Sequence, residues 1–170
     1  MAKRRWLRRL LFGALAAALL LAAGLLAAGQ LGLLQGQPPV DLGVQQGRLK
    51  PPSTTPNSVS SQANLHAGHP MQRVAMIEPL RVPGSAASAI TRVAQVVQTL
   101  HGAAIVTQRD DYLYVQFTTR WLKFVDDAEF WADGSGQVQV RSASRLGKSD
   151  LGINRARVEQ LRARLQTPSG

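Results

Sequence analysis

Hydrophobic residues fall along this chain in three regimes. From Leu10 to Gly29 every residue is apolar or glycine, twenty in succession. At about 1.5 Å per residue such a run spans about 30 Å as a helix, which matches the hydrocarbon core of a bilayer. It is apolar around its whole circumference, unlike a helix half-buried in a soluble core. This pattern predicts a transmembrane helix over 10–34. From Gln35 to Pro56 neither the helical nor the strand period is present, and Gln, Gly and Pro are abundant. That stretch predicts a flexible linker with an r.m.s. reach of roughly 25 Å, at about 5–6 Å times the square root of its length. The third regime, 57–166, carries the periodicities of a folded domain, and 167–170 form a tail.

Within the third regime, Met71 to Leu80 alternates loosely and ends near Pro79, predicting a first strand over Val74–Glu78. Ser85 is placed to cap a helix in which Ile90, Val93, Ala94, Val97 and Leu100 recur at helical spacing, with Gly102 ending it. Four strands follow in close order: Ala103–Gln108, Tyr112–Thr118, Leu122–Trp131 and Val138–Ser144. Their short connections, Asp110-Asp111 and Asp133-Gly134-Ser135-Gly136, carry turn chemistry, so neighbours should be antiparallel. A last helix is expected over Arg155–Leu165, with Val158, Leu161 and Leu165 on one side. Asn154 is its candidate cap, and Ile153 with Val158 a candidate hydrophobic staple. The order β-α-β-β-β-β-α predicts an α+β fold, an antiparallel sheet with helices on one face, preceded by one N-terminal transmembrane helix.

Side chains alternate faces along a strand, so the last hairpin assigns neighbours. Phe130 is expected opposite Val138, Ala128 opposite Val140 and Asp127 opposite Arg141, with Glu129 diagonal to Arg141. Tyr112, Tyr114, Trp131, Gln139 and Arg141 should share an uncovered sheet face, a surface through which the protein could form homo-oligomers.

Charge sharpens the topology. Of the 20 bases, Lys3, Arg4, Arg5, Arg8 and Arg9 precede the apolar run, and all 10 acids lie after residue 40. The positive-inside rule then places 1–9 in the cytoplasm and the domain on the periplasmic or extracytoplasmic side. The alternative is a secreted protein cleaved near Gly29, after the small residues Ala27 and Ala28. The run exceeds the usual h-region of about 7–15 residues, which favours a retained anchor. The remaining fifteen bases against ten acids are a usual solubility margin, and the basic patches with interleaved aromatics that nucleic-acid binding needs are absent. With no cysteine there is neither a disulfide nor a lipoprotein modification site. The Arg-rich, Ala/Leu-rich composition suggests a bacterium.

Candidate chemistry centres on the last two strands. Asp126, Ser142 and Ser144 point toward the helix-covered face, where an unpaired carboxylate is costly, so Asp126 must find donors. A ligand-binding reading gathers Asn57, Ser60, Ser61, Asp126, Ser142, Ser144, Arg145, Ser149, Asp150 and Asn154 into one polar pocket. The alternative is that these groups satisfy backbone amides in two loops and cap the last helix. An enzyme would draw on Asp126, Ser142, Arg145 and Asp150. Neither a Gly-x-Ser-x-Gly elbow nor a phosphate-binding glycine motif is present, and no cofactor is expected. His66 and His69 lack a third ligand nearby in sequence, so no metal site is expected, and they with His101 are loop or helix-end histidines.

The run Phe124-Val125-Asp126-Asp127-Ala128-Glu129-Phe130, the run from Val140 through Ser149-Asp150-Leu151-Gly152-Ile153-Asn154 to Arg155, and Pro56-Asn57-Ser58-Val59-Ser60-Ser61 resemble the family catalogued as domain of unknown function 1499. The similarity covers about residues 52 to 166. It implies a bacterial or plastid protein, often with an N-terminal membrane segment, and names no reaction. Two positions depart from the family pattern: Ser58, where relatives usually carry cysteine, and Lys148, where an aromatic is common. The expectation is a membrane-anchored cell-envelope domain of non-catalytic role, with the bilayer as partner through 10–34 and a protein, lipid or small ligand bound by the domain.

Overall fold

The computed structural model describes residues 2–166; the 167–170 tail lies outside the described residues. Helix α1 runs unbroken over Ala2–Gln30. Within it, Arg4–Gln30 contains an 18-residue window with a mean hydropathy of 2.5 and is long and apolar enough to cross a membrane, a test that a signal sequence near an N-terminus also passes. Its leucines are exposed along its length, so the rest of the protein does not cover them.

Ten further elements follow: β1 (Ser58–Ser60), a 3-10 turn (Ala63–Leu65), α2 (Gln72–Ala75), β2 (Leu80–Arg81), α3 (Ala86–Gln98), β3 (Ala103–Gln108), β4 (Tyr112–Thr118), β5 (Val125–Ala132), β6 (Gln137–Ser144) and α4 (Ile153–Gln166). The six strands form one antiparallel sheet in the order β1-β6-β5-β4-β3, with β2 pairing β6 beside β1. Helices α3 and α4 lie on one face and close the core there: Ile90, Val93 and Val97 from α3, with Val158, Leu161 and Leu165 from α4, meet Val115, Phe130 and Val140 of the sheet. The α+β fold is as the periodicity predicts. Helix α3 starts where Ser85 Oγ accepts the Ser88 amide at 3.2 Å. Gly102 then turns the chain with φ +74°, and a Cβ there would fall 2.2 Å from the Thr118 carbonyl oxygen, so only glycine fits.

Several expectations are corrected. The strand predicted over 74–78 is not one: the chain forms α2, touches β1 through a single Ser60–Met76 bridge, and pairs with β6 only at β2. The edge of β6 over 141–143 is already taken by β1. The carbonyls of Val74 and Met76 instead accept from Arg155, and those of Glu78 and Pro79 from Arg162. Strand β5 begins at Val125 rather than Leu122, because residues 119–124 form a turn closed by the Thr119 amide on the Phe124 carbonyl at 2.9 Å. Asn154 does not cap α4 from outside but sits in its first turn, where the Asp150 carboxylate accepts its amide at 2.9 Å.

The last hairpin is offset by two residues from the expected register. Phe130 opposes Val140, Glu129 opposes Arg141 and Ala128 opposes Ser142. The connection is two residues longer than assumed: Ala132 pairs with Val138 and leaves 133–137 as the loop, in which Asp133 Oδ1 accepts the Ser135 amide at 3.0 Å and Gly134 and Gly136 both take positive φ. A two-residue offset keeps every side chain on its face and changes only its partner.

The opposite face of the sheet is not uncovered. Tyr112, Glu129, Gln139 and Arg141 do share it, but they are buried, and the chain's own residues 43–52 lie over Glu129 and Arg141. The amide of Gly43 donates to Glu129 Oε1 at 2.7 Å, Arg141 Nε donates to the Pro51 carbonyl at 3.0 Å, and the amide of buried Leu49 donates to Gln62 Oε1 at 2.8 Å. Part of the stretch expected to be a flexible linker is thus the second cover of the sheet. Of the surface proposed for homo-oligomers, Tyr112, Gln139 and Arg141 are buried, and Tyr114 and Trp131 stay half-exposed.

Candidate functional site

Under the helices, the side chain of Asn154 is enclosed at the centre of a polar network. Its Nδ2 faces three acceptors: Ser144 Oγ at 3.0 Å, the Asn57 carbonyl at 3.2 Å and Asp150 Oδ2 at 2.9 Å. Its Oδ1 accepts from the Ser142 hydroxyl and from Arg157 Nη1 at 3.0 Å. The other end of the Arg157 guanidinium meets Asp126, Nη2 to Oδ2 at 2.6 Å, and the guanidinium lies 4.3 Å from the centre of the Phe117 ring. Asp126 thus finds its donor. Burial pushes the Asp150 carboxyl up, but the amides of Asn154 and Gly152 and the Asn154 side chain outweigh it and hold the group below its ordinary value.

Of the ten residues singled out from sequence, Asn57, Asp126, Ser142, Ser144, Asp150 and Asn154 come together here. Ser149 stands at the rim, its Oγ accepting the Leu151 amide at 3.2 Å. Ser60 and Ser61 lie apart from the network: Ser60 Oγ accepts the Gln62 amide, and Ser61 Oγ donates to Gln139 Oε1 at 2.7 Å. Arg145 is on the other face, bidentate on Asp127 at 2.8 and 2.7 Å, and this bond to Asp127 raises its pKa. The four groups named for an enzyme therefore do not converge. The residue that sequence reasoning missed is Arg157. Its signal was present, since it follows Asn154 by three positions on one helix and so shares its side.

A second buried set lies on the other face. Tyr112 OH donates to Glu129 Oε1 at 2.8 Å, and Arg141 Nη1 stands 3.9 Å from Oε2, which has no hydrogen-bond partner among the described residues. Burial raises the Glu129 carboxyl above its ordinary range despite the Gly43 amide and Tyr112, and burial with Glu129 beside it raises the Tyr112 hydroxyl. His66 is pushed down by burial and by the positive charge of Arg48. Among the described residues, no group of three or more His, Cys, Asp or Glu is placed to hold a metal ion.

Beside the Asn154 network opens an apolar cleft of about 230 Å³, between the β4–β5 turn and the loop from β6 to α4. Phe124, Leu146, Leu151 and Ile153 form its apolar walls, and Asp126, Ser144 and Asp150 edge its polar side. Those three are already bonded to Arg157 and Asn154. The polar edge is thus already engaged in hydrogen bonds within the domain.

A six-stranded antiparallel sheet with two helices on one face, carried behind a helix apolar enough to cross a membrane, defines an α+β domain with a candidate membrane anchor. The chain belongs to the family described as Protein of unknown function (DUF1499), whose family model matches residues 48–165. Comparison with curated proteins and with solved structures returned no significant match.

Proposed function

We propose that this DUF1499 member is a membrane-anchored binding domain of the cell envelope, its N-terminus in the cytoplasm and its domain on the far side of the membrane, without a catalytic role of its own. The observation that carries the anchored reading is the join between helix and domain. Gln30 Nε2 donates to the Trp121 carbonyl at 2.8 Å, and Gly29 packs so closely that a Cβ there would lie 2.7 Å from the Leu122 carbonyl oxygen. Cleavage near Gly29 would discard a helix whose last turn is fitted to the domain. The basic cluster before the apolar run supports the orientation. The non-catalytic reading is supported by the bonding of the cleft's carboxylates, Asp126 to Arg157 and Asp150 to Asn154, and by the separation of Arg145 from them on the other face. A reporter that is active only outside the cytoplasm, fused after residue 170, tests the orientation. Activity is the expected result; a fusion active only with a cytosolic reporter contradicts it.

A further inference from the structure

We infer that the end of the domain bearing the apolar cleft rests on the bilayer surface and takes anionic phospholipid there, with the β4–β5 turn and the β6–α4 loop as its seat. This rests on the anchored reading above and deepens it.

Continuity with α1 comes first. The helix does not pass into a spacer. Its last turn touches Trp121 and Leu122, and a Cβ at Gly36 would lie 2.7 Å from Arg145 Cβ and 3.0 Å from Leu146 Cγ. The apolar run ends at Gly29, at the level of this contact. A helix that spans the hydrocarbon core therefore delivers these two loops to the headgroup region.

The loops present what that region favours. Trp121 is 63% exposed and Leu151 91%, with Phe124, Leu146 and Ile153 also exposed beside them. An indole at the interface is a usual membrane anchor. The cations Arg120, Lys123 and Lys148 belong to the same two loops, and among the described residues no carboxylate pairs with them. Arg120 lies over the Trp121 ring at 5.0 Å.

Backbone strain singles out the same place. Only three non-glycine residues among those described take positive φ, and two of them are Lys123 at +56° and Leu151 at +53°. Holding a bulky leucine in the left-handed region while exposing it to water is costly on both counts, and an apolar environment removes one of them. Strain of this kind, one residue in each loop, marks a functional surface.

The test uses the full chain with Trp6→Phe and Trp131→Phe, leaving Trp121 as the only indole. It is reconstituted into phosphatidylcholine–phosphatidylglycerol vesicles whose acyl chains carry bromine. Co-flotation with the vesicles, about a twofold loss of Trp121 emission as the indole meets interfacial bromine, and protection from aqueous acrylamide are expected; Leu151→Asp should reduce the quenching. If the double substitution disturbs the fold, Trp121→Phe in the otherwise unchanged chain reads the same signal by difference. Co-flotation with an unquenched, acrylamide-accessible Trp121 overturns the seat while the anchor stands. Failure to co-float overturns the anchor, and the seat with it. Equal quenching in vesicles lacking phosphatidylglycerol overturns the anionic lipid as ligand.

Discussion

Glu129 lies fully buried on the sheet face away from α3 and α4, and Arg141, the nearest cation, is too distant for a hydrogen bond. Its carboxyl is raised, so through a window above the ordinary carboxylate range the native state keeps a proton that the unfolded chain has released. The unfolded state then binds fewer protons, and stability falls as pH rises through that window. Glu129→Gln keeps the acceptor for Gly43 and Tyr112 and removes the ionisation, so its denaturation midpoint should be flatter with pH than that of the unchanged protein. Equal slopes would contradict this assignment. Asp126 and Arg157 behave differently, because each is the other's charge partner in the interior. Arg157→Ala should cost about 3–5 kcal/mol by stranding a buried carboxylate, and the double variant Asp126→Ala/Arg157→Ala should cost less than the two single losses together. Urea titration of the four proteins gives both quantities.

At the scale of elements, helix α3 and strands β3 and β4 were legible because each carries an uninterrupted period and a recognisable stop. The exchange of faces was legible too, since Asp126 and Ser142 do lie under the helices. Register was not, because it depends on how tightly the 133–136 turn closes, and a two-residue slip leaves the pattern of faces unchanged. The cover formed by 43–52 left no periodic mark: it is held by single anchors such as Leu49 and by backbone bonds to Glu129 and Arg141. For the polar network, the need of Asp126 for a donor could be read from its face, but not the choice of Arg157. Arg155, Arg157, Arg162 and Arg164 all lie on α4, and the roll of that helix on the sheet decides among them. Two outcomes follow at this scale. Leu49→Ala should destabilise the domain by about 2–5 kcal/mol if 43–52 is a true layer of the fold, and by little if it is a tether. Gly102→Ala should cost at least about 1–3 kcal/mol from its backbone conformation alone, before the clash with Thr118 is added. Thermal denaturation in detergent measures both.

For the whole molecule, α1 and the domain make one continuous structure, with the apolar cleft beside the point where α1 joins. This arrangement explains why an apolar cleft and exposed aromatic and aliphatic side chains occur together at one end. It also gives the polar network a structural task, holding the β6–α4 loop and its strained Leu151 in place through Asp150 and Asn154. Function was less legible than fold, because the groups that looked catalytic in sequence are divided between two faces of the sheet. The most direct measurement is the fate of the full chain after alkaline carbonate extraction of membranes, read by intact mass. The account predicts that the protein stays in the membrane pellet with α1 still attached. Release into the supernatant, or a mature chain that begins after Gly29, would contradict it.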